Sequence, residues 1–315
     1  LHRFTVTGHP MRPIRGILYK LIAVTAFIVM SSMVKAVSGT IPPGEAVFFR
    51  SAFALPVILG WLLYQGDLRT GLKTRRPISH FWRGFIGTCA MGMGFAALAF
   101  LPLPEVTAIG YAAPLLVVVF AAIFLGEEVR MFRFTAVLVG LAGVTIVLAP
   151  SLTIGASLDH AQALGAMLAL MGAVCAALAQ VTVRRLIATE KTATIVFWFS
   201  VTATGLSLFT IPYGWVLPSA PQLAILVLTG LVGGVGQIFL TSSYREADAS
   251  LVAPFDYASI LLALAIGYWV FDEVPSLTML TGASIVVAAG ILIIWRERQL
   301  GLERSRQRKA MTPQG

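Results

Sequence analysis

At residues 104–150 the sequence reads PEVTAIGYAAPLLVVVFAAIFLGEEVRMFRFTAVLVGLAGVTIVLAP, two apolar runs joined by the acidic link Glu-Glu-Val at 127–129. At residues 250–295 it reads SLVAPFDYASILLALAIGYWVFDEVPSLTMLTGASIVVAAGILIIW, and the corresponding link Asp-Glu-Val at 272–274 lies 145 residues further on. The chain therefore contains one apolar unit twice.

The composition is that of a membrane protein. Of the 315 residues, 57% are hydrophobic and only 12% are charged, whereas a soluble domain carries about 25% charged residues. Apolar runs of about 20 residues recur, and each can cross a hydrocarbon core of roughly 30 Å. None shows the alternation of a barrel strand, so we predict an all-α membrane protein.

Ten segments qualify as transmembrane helices. They lie at residues 17–37, 46–64, 81–101, 106–125, 134–148, 164–187, 193–212, 223–244, 251–271 and 277–295. The first is longer than the apolar region of a signal peptide, which has about 7–15 residues, so we predict an uncleaved first helix. The true start is left open between Leu1 and Met11.

The positive charges indicate the orientation of these helices. If the amino terminus is cytoplasmic, all 23 Lys and Arg residues except Lys35 and Arg50 fall on the cytoplasmic side, which is where positive charges accumulate in membrane proteins. We therefore predict a multi-pass protein with both termini in the cytoplasm. The net charge of +9 then reflects topology, and the predicted partner is the lipid bilayer rather than a nucleic acid.

The two halves of the chain align beyond the opening stretch. At an offset of 149 residues, FFRS at 48–51 falls on FWFS at 197–200. Each half holds five helices, an odd number, so the second half enters the membrane from the opposite side. Such inverted repeats are typical of secondary transporters, whose substrate sites lie near the midplane between the repeats. We predict a cytoplasmic tail, two five-helix repeats and a basic cytoplasmic tail, at residues 1–15, 16–149, 163–295 and 296–315.

No constellation for catalysis or metal binding is visible in the sequence. The four His residues lie in tails or at helix ends, and the two Cys residues lie in apolar runs, where a free Cys behaves as a small hydrophobe. There is no phosphate-binding loop of the Gly-x-x-x-x-Gly-Lys-Ser/Thr type. We therefore predict no enzyme activity, no cofactor and no metal site.

Polar and aromatic residues inside the spans are the candidates for binding a substrate, because a polar group in lipid is costly and faces a cavity or a partner. Each has an alternative interpretation that stays open. These are snorkelling to the headgroups for the arginine, a structural ion pair with Arg245 or Arg184 for the aspartate, interhelical hydrogen bonds for the glutamines, and an interfacial belt for the aromatic rings. The candidates are Arg50, Tyr111, Gln180, Trp198, Gln237, Asp256 and Tyr257.

Three further residues have predicted roles outside substrate contact. Lys35 lies near the outer end of the first helix and, with Arg50, is expected to form a positive region at the outer mouth. Pro114 and Pro254 lie in the corresponding fourth and ninth helices. A proline there frees a carbonyl group and permits a kink, so we predict a hinge or kink at each.

Taken together, these motifs resemble those of a known family. Ten spans, a duplicated five-helix unit and the Gly-Glu-Glu-Val link that ends the fourth helix resemble the EamA-type branch of the drug/metabolite transporter superfamily over about residues 15–296. The second copy departs from the common Gly-Glu link, with Phe-Asp-Glu at 271–273. The resemblance implies a bacterial inner-membrane carrier with a central cavity between its halves. Members move amino acids, nucleotide-like metabolites, vitamins or toxic compounds.

More narrowly, the segments MRP at 11–13, PPGEAVFFRS at 42–51 and LPLPEVTAIGYAAPL at 101–115 look like those of the riboflavin-uptake members. This resemblance implies a carrier that imports riboflavin or a similar planar heterocycle by alternating access. Tyr111, Trp198 and Tyr257 are then expected to flank the ring. Gln180 and Gln237 are expected to bond its polar edge, while Arg50 favours the entry of electron-rich solutes.

Other functions are kept beside this one. The chain is alternatively an exporter of amino acids or toxic metabolites, since direction cannot be read from the sequence. A non-transporting membrane sensor or assembly subunit is an alternative from another class. An intramembrane enzyme needs a clustered His/Asp or Ser/Lys pair within the spans, and the sequence shows none. Whether the carrier forms a homo-oligomer is left open.

Overall fold

The computed structural model describes residues 13–66, 68–125, 131–152, 160–187, 189–247 and 252–311. Throughout these ranges the regular structure is helical, without strands, as the composition predicts. Two predicted features, the acidic link at 127–129 and residues 1–12 of the amino-terminal tail, lie outside the described residues.

Thirteen α-helices and two short 3₁₀ turns are described. In the first half the helices are α1 Pro13–Val37, α2 Pro43–Ala52, α3 Ala54–Tyr64, α4 Leu68–Gly71, α5 Pro77–Ala97, α6 Leu103–Gly110, α7 Ala112–Leu125 and α8 Met131–Leu152. In the second half they are α9 His160–Ile187, α10 Thr192–Leu208, α11 Ala220–Glu246, α12 Ala258–Phe271 and α13 Leu277–Met311, with 3₁₀ turns at Ile211–Tyr213 and Ala253–Tyr257.

Nine of the predicted spans coincide with apolar helical segments. Six of these segments are long and apolar enough to cross a membrane: Ile14–Val37, Pro43–Tyr64, Leu103–Phe124, His160–Val183, Ala220–Ser243 and Leu277–Arg296. Three are shorter: Phe134–Pro150, Ala193–Leu208 and Phe255–Phe271. The remaining predicted span, 81–101, falls largely on α5. The chain is thus a multi-pass helical protein, and the count of ten spans stays a prediction.

Three of the spanning segments are interrupted. α2 and α3 meet at Phe53, and α6 and α7 meet at Tyr111. Each interruption lies three residues before a proline, Pro56 or Pro114. A proline has no N–H to donate to the carbonyl four residues earlier, which explains where both helices break. The third interruption is the 3₁₀ turn that contains Pro254 and leads into α12.

The helices of the two halves pack in a reciprocal pattern. α1 packs on α11, and α5 packs on α9. In the numbering of the ten predicted spans, α1 is the first and α11 the eighth, whereas α5 is the third and α9 the sixth. Exchanging the halves therefore turns one pair into the other. The second, fourth and fifth helices each pack on their own counterparts, as α2 on α10, α6 on α12 and α8 on α13.

The contact between α8 and α13 is close because both helices have a glycine there. A β-carbon at Gly143 would lie 2.9 Å from the carbonyl oxygen of Gly282, and one at Gly282 would lie 2.7 Å from the carbonyl oxygen of Gly143. These distances are shorter than a side chain allows, so the two backbones touch. Small residues permit this approach between membrane helices.

The distribution of polarity is inverted relative to a soluble protein. Large apolar side chains cover the outside, and Trp269 is 78% exposed. Charged side chains lie inside the bundle, where Lys20 and Glu45 are each only 1% exposed. Lipid solvates the apolar surface, whereas a buried charge needs a partner. The interior charges are therefore candidates for a functional role.

Candidate functional site

Two arginines from different helices face the ring of one phenylalanine inside the bundle. Arg50 of α2 is 5% exposed, and its Cζ lies 5.6 Å from the centre of the Phe199 ring. Arg83 of α5 is half-buried, with its Cζ 3.9 Å from the same centre. An aromatic face attracts a cation by about 0.5–2 kcal/mol. Phe199, near the middle of the 17-residue α10, therefore helps to hold both guanidinium groups.

Two glycines, Gly233 and Gly87, lie against these side chains and make space for them because they have no β-carbon. A β-carbon at Gly233 of α11 would lie 3.4 Å from Nε of Arg50. One at Gly87 of α5 would lie 3.0 Å from Cε2 of Phe199 and 3.1 Å from Nη1 of Arg83. Larger residues at these positions would press on the cluster, so the glycines serve the site as well as helix packing.

Neither guanidinium group is neutralised by an acidic side chain in the part of the chain that the structure describes. Nε of Arg50, and both Nε and Nη1 of Arg83, are buried without a hydrogen-bond partner there. The hydroxyl of Ser51, which is fully buried, is in the same condition. Buried polar groups are nearly always paired, so this group of unpaired donors is typical of a ligand site.

The cluster lies between the two halves. Arg50 and Phe199 occupy equivalent positions in the alignment at an offset of 149 residues. They also meet in the structure, because α2 packs on its counterpart α10. The cluster therefore lies where equivalent segments of the two halves pack together.

A pocket opens near this cluster at one end of the bundle. It has a volume of about 630 Å³ and is lined by residues 72–75 and 189–191 together with Thr194 and Trp198. His80, which is 2% exposed, has both ring nitrogens buried without a described partner. It is close enough to interact electrostatically with Glu190 in the pocket wall and with Arg83. His80 lies one turn before Arg83 on α5.

A second polar cluster contains three of the predicted site residues. Nζ of Lys20 lies 2.8 Å from Oδ1 of Asp256. The hydroxyl of Ser259 donates to the backbone carbonyl of Asp256 at 2.7 Å, and the hydroxyl of Tyr111 lies against the Ser259 hydroxyl and 3.2 Å from the same carbonyl. The rings of Tyr111 and Tyr257 meet edge to face, with centres 5.0 Å apart. The cluster thus satisfies a carbonyl at the start of α12 and pairs a buried lysine.

The structural partner of Asp256 differs from the expected ones. The sequence suggested Arg245 or Arg184, whose side chains lie outside the described part, but the carboxylate pairs with Lys20. The charge count places Lys20 among the positive charges of the cytoplasmic side. Its side chain is instead only 1% exposed, because α1 packs against the 3₁₀ turn that contains Asp256.

Lys35 does not provide a free positive charge at the outer mouth. Its Nζ lies 2.8 Å from Oε1 of Glu273 and donates to the carbonyls of Leu101, at 2.8 Å, and Leu98, at 3.3 Å. Oε2 of Glu273 accepts the N–H of Leu103 at 2.9 Å. We call this group the Lys35–Glu273 clamp. It ties the end of α1 to the ends of α5, α6 and α12, and it leaves Arg50 as a separate site.

The turn after α12 also shows why its sequence can depart from the Gly-Glu pattern. Asp272 has a φ of 54°, the left-handed conformation that glycine usually takes. Aspartate tolerates this conformation better than most residues. The turn therefore still presents Glu273 to Lys35.

The remaining predicted site residues are dispersed. Trp198 lines the pocket and donates from Nε1 to the carbonyl of Leu72 at 3.1 Å. Gln180 is exposed on α9, and Gln237 is half-buried on α11. The three aromatic residues expected around one planar ring do not surround a common space, because Tyr111 and Tyr257 contact each other while Trp198 lies in the pocket.

Arg83 and Lys20 are the interior residues that sequence reasoning missed. Both were counted among the cytoplasmic anchors. Arg83 could have been found from Pro77, because proline is favoured in the first turn of a helix and α5 does begin there. That start places Arg83 nearly two turns inside the helix. Lys20 could have been found as the cation at the same depth as Asp256.

Comparisons with known proteins agree on one kind of protein. A model of the EamA-like transporter family matches the chain twice, at residues 14–149 and 163–295. The pseudopaline exporter of Pseudomonas aeruginosa strain UCBPP-PA14 is 31% identical, over 88% of this chain and 95% of that protein. The S-adenosylmethionine uptake transporter of Rickettsia prowazekii strain Madrid E is 25% identical, over 91% and 94%. The riboflavin transporter of Rhizobium johnstonii is 27% identical, over 94% and 96%.

A solved crystal structure shows the same fold. It aligns with a TM-score of 0.63 at 23% sequence identity, over 90% of this chain and 98% of the other.

Proposed function

Because this chain belongs to the EamA-like transporter family, we propose that it is a secondary carrier that moves a small organic metabolite across the bacterial inner membrane by alternating access. The resemblance seen in the sequence motifs is thereby confirmed at the level of the family. The proposal adds ten spans arranged as two inverted repeats, with both termini in the cytoplasm.

One observation carries the proposal, namely that buried polar groups meet where the two halves pack. Arg50 and Phe199 are equivalent residues of the two repeats and face each other, with Phe199 near the middle of α10. A purely structural bundle has no need for an unpaired guanidinium group there, since burial of such a group is costly. A carrier does need polar groups between its halves, because its substrate must leave water for this interior.

The arrangement of the two ends supports alternating access. The Lys35–Glu273 clamp joins α1, α5, α6 and α12 at the end predicted to face outwards. The pocket with Trp198 opens at the other end, which is predicted to face the cytoplasm. The two ends thus differ, as expected of a carrier that opens to one side of the membrane at a time.

The similar proteins have different substrates, so we propose candidates for this chain rather than one substrate. Riboflavin is the first substrate to test for uptake, since a riboflavin transporter is 27% identical over most of both chains. Export is the second candidate for direction, because the pseudopaline exporter is 31% identical. The dispersed positions of Trp198, Tyr111 and Tyr257 do not add support for a stacked planar ring.

Transport by the purified chain in liposomes tests the proposal. Labelled riboflavin, S-adenosylmethionine and a panel of amino acids are offered to proteoliposomes preloaded with the same unlabelled solute. We expect saturable, protein-dependent exchange of at least one solute, and Arg50→Ala to reduce it at least tenfold. A riboflavin-auxotrophic bacterium that expresses the chain then reports whether riboflavin enters the cell.

A well-folded, reconstituted protein that exchanges none of these solutes would contradict a carrier of this range. The non-transporting sensor or assembly subunit would then be the better interpretation. Empty liposomes and liposomes with heat-unfolded protein are the controls for leakage.

A further inference from the structure

We infer that Arg50 and Arg83 together bind a carboxylate group of the transported metabolite, with Phe199 as the surface on which both guanidinium groups rest. This inference rests on the proposed function, because the ligand is taken to be the substrate of the carrier. It assigns the substrate to the carboxylates, a class that includes amino acids and S-adenosylmethionine but not riboflavin, and it gives Arg83 a role in binding.

The first argument is the charge balance of the cluster. Arg50 and Arg83 both face the Phe199 ring, and they are close enough to interact electrostatically with each other. Both charges are positive, and no acidic side chain pairs with either in the described part of the chain. Two like charges without a counter-ion repel, so a negatively charged group placed between them stabilises both.

The second argument is the contrast with the other interior cations. Lys20 pairs with Asp256, and Lys35 pairs with Glu273, each at 2.8 Å. The chain therefore neutralises its buried lysines with its own carboxylates. Among the cations described inside the bundle, only Arg50 and Arg83, at the interface of the halves, have no acidic partner. A carboxylate supplied by the substrate completes the same pattern.

The third argument is the geometry of the donors. A guanidinium group is planar, always charged and carries five N–H donors in a fork that matches a carboxylate. The unpaired atoms are Nε of Arg50 and Nε and Nη1 of Arg83. Lysine would supply charge without this fork. The choice of arginine at both positions therefore favours a planar oxyanion over a neutral polar group.

The fourth argument is a polar route to the site. His80 lies one turn before Arg83 on α5 and interacts with Glu190 of the pocket wall as well as with Arg83. Lys73 and Lys191 line the same pocket. An anionic solute thus meets positive charge at the pocket and again at the arginines, and such charge raises the local concentration of anions.

Thermal unfolding of the detergent-purified full chain tests this inference without knowledge of the natural substrate. Acetate and succinate replace chloride at constant ionic strength, and acetamide serves as the uncharged analogue of acetate. We expect the carboxylates to raise the melting temperature by about 2–4 °C, as binding to the folded state does, and acetamide to have no effect. Arg50→Gln and Arg83→Gln should each abolish the rise, whereas the exposed Arg76→Gln should keep it.

The same experiment separates binding from a structural role. Without any carboxylate, Arg50→Gln and Arg83→Gln should unfold at the same temperature as the wild type or higher, because they remove an unpaired buried charge. Arg50→Lys and Arg83→Lys keep the charge and should weaken the response to acetate at least threefold in concentration. A large fall in melting temperature in both glutamine variants, with no change in the response per added acetate, would overturn the inference in favour of a structural role.

Two other results would overturn it as well. One is the absence of any carboxylate effect on the wild type. The other is stabilisation by phosphate or sulfate alone, which would assign the site to a tetrahedral oxyanion. Exchange in the liposome assay with no carboxylate response would refute the bound class and keep the carrier. A carboxylate response with no exchange of any solute would refute the carrier and keep an anion site.

Discussion

At the scale of single residues, the ion pair between Lys20 and Asp256 can be measured against a control that the chain itself contains. Lys20 is buried, and its Nζ lies 2.8 Å from the carboxylate of Asp256, whose side chain is 43% exposed. Arg15 and Glu246 form a looser pair at 3.7 Å, with side chains 49% and 24% exposed. The two pairs differ in burial and distance, which are the variables that determine the strength of an ion pair.

A double-mutant cycle with Lys20→Gln and Asp256→Asn should give a coupling energy of about 1–3 kcal/mol. The same cycle with Arg15→Gln and Glu246→Gln should give less than about 1 kcal/mol. Equilibrium unfolding in mixed micelles measures both. Equal coupling energies in the two cycles would show that burial of Lys20 adds nothing to the pair.

At the scale of secondary-structure elements, Pro114 separates α6 from α7. Pro114→Ala restores an N–H that can donate to the carbonyl of Gly110, so the two helices can merge. We expect unchanged or slightly higher stability, by up to about 1 kcal/mol, because helix propensity rises. We expect exchange of substrate to slow several-fold, since Tyr111 at the break contacts the start of α12. Exchange rates and unfolding are measured on the same preparation.

Pro221 provides the matched control for this change. It lies in the first turn of α11, where a proline breaks no intrahelical hydrogen bond. Pro221→Ala should therefore leave both stability and exchange nearly unchanged. If Pro114→Ala exchanged substrate as fast as Pro221→Ala, the break at Tyr111 would have no part in transport.

Elements of this kind are predictable from sequence to different degrees. Nine of the ten predicted spans coincide with apolar helical segments because hydropathy depends on each segment alone. Pro114 indicated a kink because its missing N–H is a local property. Pro56 acts in the same way but was not singled out. The partners of Lys20 and Lys35 could not be predicted, since each pairs with a carboxylate more than 200 residues away along the chain. Arg83 was missed because the helix begins at Pro77, before the apolar run does.

At the scale of the whole molecule, the contacts that join the two halves near the ends of the helices form two sets. At one end, Gln222 donates to Thr40 at 2.8 Å, and the Lys35–Glu273 clamp joins α1 to α12. At the other end, Thr74 donates to Glu190 at 3.0 Å, and Arg15 lies near Glu246. Every contact of the first set joins segments predicted to be outside, and every contact of the second joins segments predicted to be cytoplasmic. Each set thus lies on one side of the predicted topology, and the opposite orientation of the halves stays a prediction.

Reporter fusions test this orientation directly. A reporter joined after Pro150, between the halves, should be periplasmic, because five spans separate it from a cytoplasmic start. One joined after Arg298 should be cytoplasmic after ten spans. A fusion after Gly71, on the basic segment between the second and third spans, is the control and should be cytoplasmic, since positive charge is retained on that side. If the reporter after Pro150 were cytoplasmic while that control behaved as expected, the halves would share one orientation. Arg50 and Phe199 would then no longer be related by an axis in the membrane plane, and the central site would lose its symmetry argument.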